Sequence, residues 1–202
     1  MTSGARGSPP KDWGLLVHYE NITKRMSGAE VSAADVDAEE ALFRRALAMR
    51  RDMSDEPGAA LPLFGLGLVE HVLRHDWGAA MQYFHEALEL VETWGDVIDL
   101  YTQSEVYRHV GFCFAVEDVR PAEAVRRLRQ SLDLRERLGD PRRIPSKLEA
   151  LGEVELAAGN TACGLELLGR AVAESRAAGL LPQRIEMTEQ TLREAKAAAA
   201  GD

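Results

Sequence analysis

The chain has 202 residues and a formal net charge of −9, with 46% hydrophobic and only 6% aromatic residues. This charge argues against a nucleic-acid-binding protein, because phosphate recognition needs a clustered positive field. The longest apolar run, residues 59–69, contains a proline and two glycines and is too short to span a bilayer. Residues 1–11 lack the apolar core of a secretory signal. We therefore expect a cytoplasmic protein that binds neither nucleic acid nor membrane.

The composition also predicts an all-α fold. Ala, Leu, Glu and Arg are abundant, and such side chains lose little conformational freedom in a helix. Arg greatly outnumbers Lys, which is typical of a GC-rich bacterial genome. Cys113 and Cys163 lie in helical patterns without a Cys-x-x-Cys partner, so free thiols are expected rather than a metal site or a redox motif. Because the chain has no glycine-rich phosphate loop and no nucleotide fingerprint, no cofactor is expected.

Apolar residues recur at helical spacing along the chain and predict nine helices. A flexible tail, residues 1–11, precedes a single domain of residues 12–199. Its helices pair in four hairpins at about residues 12–54, 57–95, 97–139 and 141–179, and a last helix at about 182–199 caps the open end. Pro62 and Pro121 must lie in the first turns of their helices. Gly95 followed by Asp96 predicts a helix end and an immediate N-cap.

The second helices of the hairpins share a pattern of small, large apolar and small residues. The copies are Ala80-Phe84-Ala87, Ala124-Leu128-Ser131 and Gly164-Leu168-Ala171, with a partial first copy, Glu39-Phe43-Ala46. The last members, at positions 46, 87, 131 and 171, are 41, 44 and 40 residues apart. Upstream of three copies lies a glycine: Gly67, Gly111 and Gly152. Self-similarity at this period predicts an α-solenoid.

These residues resemble the tetratricopeptide repeat family. Leu66-Gly67 followed by Ala80, Phe84 and Ala87 is similar to its Leu-Gly…Ala-x3-Phe-x2-Ala pattern, and the resemblance covers about residues 36–180. It implies a right-handed α-solenoid of about four hairpins that binds a peptide or partner protein in its concave groove. The usual period is about 34 residues. The longer period here is similar to the repeats of kinesin light chains and of bacterial signalling regulators.

Repeats 1 and 2 depart from repeat 3 by one residue. The step from the glycine to the first small residue of the next helix runs from 67 to 80 and from 111 to 124, against 152 to 164 in repeat 3. We expect the extra residue to form a wider loop or a helical bulge.

The resemblance also implies which side chains line the groove. They are His18, Phe64, Leu68 and His71 near the N-terminus, and Glu105, Arg108, Phe112, Glu149 and Glu153 further along the chain. This groove would be apolar and histidine-bearing at one end and acidic at the other. It could bind a peptide with an apolar anchor and a basic end, or a small molecule stacked on the two phenylalanines.

An alternative is a small-molecule-binding protein or an enzyme with a pocket around His71, His18, Arg108 and Glu105. His71 and His75 are spaced i, i+4 and could in principle share a metal ion. That spacing arises easily by chance, so we expect structural or solvated histidines, no metal site and a non-catalytic protein. Homo-oligomerisation is a further possibility that the sequence leaves open.

Charge is unevenly distributed along the chain. Between residues 75 and 107 there is no Lys or Arg, whereas eight arginines lie between Arg120 and Arg143. We expect neighbouring helices of opposite sign to complement each other. The alternative is an arginine-rich strip that docks an acidic partner.

Overall fold

The computed structural model describes residues 13–116 and 120–201, and of residues 13, 14, 16, 26 and 201 it describes the backbone only. The tail expected at residues 1–11 lies outside the described residues. Those described form nine α-helices and no strand, which confirms the all-α prediction. The helices are α1 (Trp13–Met26), α2 (Ala33–Asp52), α3 (Ala60–Leu68), α4 (Trp77–Trp94), α5 (Leu100–Val116), α6 (Pro121–Leu138), α7 (Ile144–Ala157), α8 (Thr161–Ala177) and α9 (Pro182–Gly201).

Contacts within the chain divide it into two compact units, Met1–Leu90 and Val91–Asp202. In the first unit α2 packs against α1 and α3. In the second unit α5 packs along α6 and α7 along α8, while α6 contacts α7 and α8 contacts α9. Within the described residues, none of the helices has the length and apolarity needed to cross a membrane. The single domain of residues 12–199 stays a prediction.

The recurring residues of the sequence pattern are core residues in both units. Phe84, Leu128 and Leu168 are each at most 1% exposed, and the small residues on either side of them are buried. Each large residue packs against the glycine of the preceding helix. A Cβ on Gly111 would lie 3.0 Å from Leu128 Cγ, one on Gly152 would lie 3.0 Å from Leu168 Cγ, and one on Gly67 would overlap the Phe84 ring. Close packing therefore excludes a Cβ at Gly67, and at Gly111 and Gly152 a Cβ would force its neighbours to shift by a few tenths of an ångström.

The extra residue of repeat 1 is accommodated inside its helix. After α3 the backbone continues as a π-helical segment, Val69–Arg74, which ends at His75 with a left-handed φ of 58°. A π turn contains one residue more than an α turn and therefore absorbs a one-residue insertion. Of the two expected forms, repeat 1 adopts the helical bulge. In repeat 2, residues 117–119 lie outside the described residues.

The helix ends agree with most of the sequence signals. Pro62 lies in the first turn of α3, Pro121 is the first residue of α6, and α6 ends at Gly139 with a φ of 65°. The prediction that Asp96 caps the next helix is wrong. The structure begins α5 at Leu100, and the Asp99 carboxylate accepts hydrogen bonds from the Thr102 amide and hydroxyl at 2.9 and 2.8 Å. Asp99 therefore performs the capping role, because its carboxylate satisfies an otherwise unpaired amide of the first turn.

Candidate functional site

A buried charged cluster lies in the second unit where α5, α6 and α7 meet. Each helix contributes one side chain: Glu105 from α5, Arg135 from α6 and Lys147 from α7. Their exposed fractions are 4%, 0% and 3%. Lys147 Nζ donates to Glu105 Oε1 at 2.7 Å, and Arg135 Nη2 donates to the same oxygen. We call these three residues the Glu105 cluster.

The guanidinium of Arg135 is also held by an aromatic ring. Its Cζ atom lies 4.3 Å from the centroid of the Tyr101 ring, and the Arg143 Cζ lies 5.6 Å from the same centroid. Arg135 Nη1 is 3.9 Å from an Asp140 carboxylate oxygen. A cation on an aromatic face gains electrostatic attraction, so the Tyr101 ring helps to hold the Arg135 guanidinium in the cluster.

His109 borders the cluster as a neutral ring. Its Nδ1 donates to the Glu105 backbone carbonyl oxygen at 2.9 Å. Its Nε2 accepts from Arg108 Nη1 at 3.2 Å, and a nitrogen that accepts a hydrogen bond carries no proton. Burial and the adjacent Arg108 hold the pKa of His109 well below its usual value. His109 therefore contributes no positive charge at neutral pH.

The Glu105 cluster contains more groups able to be positive than negative. Burial alone would raise the pKa of Glu105, but Lys147, the adjacent His109 ring and Arg135, in that order, outweigh it and hold this pKa below its usual range. Burial lowers the pKa of Lys147 to about 7; Glu105 opposes this shift, and Arg108 and Arg135 add to it. Arginine does not lose its proton in proteins. Lys147 is therefore the member that titrates near neutral pH.

Beside the cluster, α5, α7 and α9 bring polar side chains together on one face. Arg184 of α9 donates to the Glu149 carboxylate of α7. Burial lowers the pKa of Arg184, and the charge of Arg108 lowers it further. Desolvation raises the pKa of Glu153, and Arg108 opposes that rise. The charge of Arg108 thus acts on both groups, and we call Arg108, Phe112, Glu149, Glu153 and Arg184 the α5/α7/α9 face.

Arg108 is the least satisfied cation of this face. Its Nη1 donates to neutral His109, and its buried Nε has no hydrogen-bond partner among the described residues. An unused buried donor carries a desolvation cost that an acceptor can remove. Arg184, by contrast, already bonds a carboxylate. The arrangement therefore favours a ligand that brings a negative charge to Arg108.

The groove residues predicted from the sequence are placed in different environments. In the second unit Arg108, Glu149 and Glu153 lie on the α5/α7/α9 face with half-buried Phe112, while Glu105 lies in the cluster.

In the first unit the predicted groove residues pack inside the fold. Phe64 and Leu68 are 1% and 3% exposed. The ring of half-buried His71 lies 4.1 Å from the Trp77 ring, and buried His18 donates from Nδ1 to Glu39 Oε1 at 2.6 Å. A pocket shared by His18, His71, Glu105 and Arg108 stays a prediction, as does a continuous groove.

The sequence interpretation missed Lys147, Arg135 and Arg184. A signal was available for two of them. Arg135 follows Leu128 and Ser131 at positions i+7 and i+4, on the stripe predicted to be buried, and Lys147, one of only four lysines, directly precedes Leu148. Charged residues on a buried stripe are rarely left unpaired. Arg184 offered no comparable signal, because it lies on the half-polar last helix.

Two open clefts lie within the first unit. One, of about 350 Å³, is lined in part by Arg25, Val36 and Leu73. The other, of about 420 Å³, has acidic walls that include Asp55 and Glu89. No group of three or more His, Cys, Asp or Glu side chains within residues 13–116 and 120–201 is arranged to hold a metal ion.

The chain was compared with known proteins by sequence. No protein-family model matches it, and no curated protein matches it.

Proposed function

We propose that this chain is a helical-repeat binding protein, similar to tetratricopeptide repeat proteins, that binds a peptide segment of a partner protein on its α5/α7/α9 face. In this proposal the helices stack as a right-handed α-solenoid of four hairpins, with α9 as the capping helix. The protein is non-catalytic, and its role is to hold a partner.

Support for the repeat architecture comes from one packing contact that occurs three times. Gly67 meets Phe84, Gly111 meets Leu128, and Gly152 meets Leu168. Each contact joins the first helix of a predicted hairpin to the second. Units that reuse the same small-to-large contact are typical of solenoid repeats, in which each hairpin buries its apolar side against its neighbours.

The observation that carries the binding proposal is that the buried Arg108 Nε has no hydrogen-bond partner in the part of the chain that the structure describes. Phe112 lies one helical turn further along α5 and is half-buried, so apolar surface adjoins the cation. A peptide segment with an acidic side chain next to an apolar one would satisfy both groups.

This partner differs from the basic peptide that the sequence suggested. The acidic end of the groove implied by the family resemblance consists of Glu149 and Glu153. In the structure Arg135 and Lys147 bond Glu105, and Arg184 bonds Glu149. These paired carboxylates offer little to a basic ligand, and Arg108 favours an acidic one.

Two peptide libraries test the proposal. One fixes Asp or Glu beside Leu or Phe, and the other replaces the acidic positions with Lys or Arg. Binding to the purified full chain is measured by fluorescence polarisation. We expect binders from the acidic library, with affinity at least tenfold weaker for Arg108→Gln, because a charged hydrogen bond contributes about 1.5–3 kcal/mol.

The matched control is Arg137→Gln on α6, where the arginine is exposed and pairs with Asp133 on its own helix. It should bind as the unsubstituted protein does. Circular dichroism checks that both variants stay helical. Binding that prefers the basic library, or that is unchanged in Arg108→Gln, contradicts the assignment of the face.

A further inference from the structure

The Glu105 cluster has a charge imbalance that follows from its geometry. One carboxylate oxygen, Glu105 Oε1, accepts from both Arg135 and Lys147. Arg108 adds a third cation on the same side of α5. A buried net positive charge is costly, and the two arginines cannot release a proton. Lys147 is the one member of this set that can relieve the imbalance by losing its proton.

The charged groups that act on Lys147 lie on α5 and α6, and charged groups of α8 and α9 have partners of their own. From α5 and α6 they are Glu105, Arg108, His109 and Arg135, with Tyr101 and Asp140 next to Arg135. On α8, Glu174 and Arg176 are engaged by Arg170 and Glu189, and on α9 Arg184 bonds Glu149. Glu105 is the only carboxylate bonded to Lys147 among the described residues.

Burial lowers the pKa of Lys147 to about 7, with Arg108 among the cations that add to the shift. Arg108 also belongs to the α5/α7/α9 face. A negative charge bound beside Arg108 would offset part of the positive field at Lys147 and favour the ammonium form. By linkage, a ligand that favours the protonated form binds more tightly when that form is populated.

We propose that the α5/α7/α9 face is a proton-linked oxyanion site, in which Lys147 takes up a proton when an oxyanion binds between Arg108 and Arg184. The inference rests on the proposed function to the extent that the same face receives the ligand. The oxyanion is the carboxylate of an acidic partner segment or a free inorganic anion. Both present negatively charged oxygens that accept hydrogen bonds from guanidinium groups.

The first experiment measures proton uptake by the unaltered protein. Inorganic sulfate is titrated at pH 7 in two buffers of different ionisation enthalpy, because sulfate does not itself titrate near this pH. The acidic–apolar peptide from the library experiment is titrated in the same way. The proposal expects proton uptake on binding of either probe, and binding without proton uptake overturns it.

The second experiment follows affinity from pH 6 to pH 9. Affinity should fall with rising pH, about tenfold for each pKa unit by which the anion shifts Lys147. In Lys147→Met the dependence should be flat while Arg108 is unchanged. A slope that persists in Lys147→Met contradicts the assignment of the proton to Lys147. If this variant fails to fold, the two-buffer calorimetry decides the question.

The two proposals fail in different ways. Peptide binding that requires Arg108 but takes up no proton refutes the proton linkage and leaves the proposed function standing. Sulfate binding with proton uptake, together with no binder in either peptide library, refutes peptide binding and supports a site for a free inorganic anion. Absence of binding by both probes overturns the oxyanion site.

Discussion

Glu39 in the first unit and Glu105 in the second unit are both buried carboxylates with two side-chain donors, and yet their surroundings differ. Glu39 accepts from His18 Nδ1 at 2.6 Å and from Asn21 Nδ2 at 2.7 Å, one donor on each oxygen. In Glu105, one oxygen accepts from both Arg135 and Lys147. The first arrangement joins α1 to α2 with each donor matched by its own acceptor.

The second arrangement concentrates cations around a single carboxylate. Arg135 cannot lose its charge, and Lys147 titrates close to neutral pH. Perturbed titratable groups cluster at functional sites, and structural ion-pair networks perturb pKa values as well. The difference is that the first unit gives each buried donor its own acceptor oxygen, whereas the second unit places two cations on one oxygen, and this is the contrast on which the proposed ligand site rests.

The largest expected effect is that of Glu105→Gln. This change removes the carboxylate bonded to Lys147 and leaves Arg135 with Asp140 at 3.9 Å, and breaking a buried pair costs about 3–5 kcal/mol. Urea unfolding followed by circular dichroism measures it. Adding Lys147→Met should recover part of the loss, because one unpaired charge is removed. If the double variant is no more stable than Glu105→Gln alone, the charge of Lys147 is not part of the buried positive excess.

The matched change in the first unit, Glu39→Gln, should cost less. Glutamine keeps one acceptor oxygen and brings a donor toward Asn21 or His18, so one buried hydrogen bond is lost at a cost of about 1–3 kcal/mol. The same urea unfolding applies. Equal costs at the two positions would remove the contrast between the units.

The recurring glycines should tolerate alanine poorly in both units. Gly67→Ala drives a Cβ into the Phe84 ring, and Gly152→Ala places one 3.0 Å from Leu168 Cγ. Overpacking of this kind costs about 1–3 kcal/mol. Gly169→Ala on α8 is the control, because no heavy atom lies within 4 Å of its added Cβ. It should stabilise the helix by about 1 kcal/mol, and a loss similar to that of Gly152→Ala would contradict the packing account.

Stability should also depend on pH through Lys147. Its pKa in the folded protein, about 7, lies below its unfolded value. The unfolded chain therefore binds more protons between about pH 7 and pH 10, and stability rises with pH in that window. Relative to Lys147→Met, the unsubstituted protein should gain up to about 1.4 kcal/mol per pH unit. Parallel stability curves would show that Lys147 is not perturbed.

Glu105 acts at the other end of the pH scale. Its pKa is held below the usual carboxyl range, so its contribution to stability is present above the unfolded value and is lost as pH falls.

Helical periodicity predicts the backbone of this chain well. Nine helices were expected, and nine are described; α6 begins at Pro121 and ends at Leu138 as predicted. The extra residue of repeat 1 forms a helical bulge, which is one of the two forms expected. α5 begins three residues later than predicted because Asp99 caps it. Local signals of this kind depend on neighbours in sequence, which the sequence displays directly.

The site was harder to predict, because it depends on contacts between helices. The family resemblance implied that Glu105 and Arg108 line the groove; the structure places Glu105 in the Glu105 cluster and Arg108 on the α5/α7/α9 face. The resemblance did not reveal that Arg135 and Lys147, 30 and 42 residues from Glu105, reach the same oxygen. Long flexible side chains can bond partners on several neighbouring helices. The sequence pattern of one helix therefore does not predict the net charge of a surface formed by several helices.

The most direct test of the account is the titration of Lys147 itself. The chain has only four lysines, so their side-chain ¹⁵N and ¹³C resonances can be separated by NMR, and Lys147→Met assigns the signal. Our account predicts that Lys147 titrates near pH 7 and shifts to higher pH when sulfate is added. A Lys147 signal that titrates at about pH 10.4, the usual value for lysine, would contradict the account, because it would show that no excess of buried positive charge acts on Lys147.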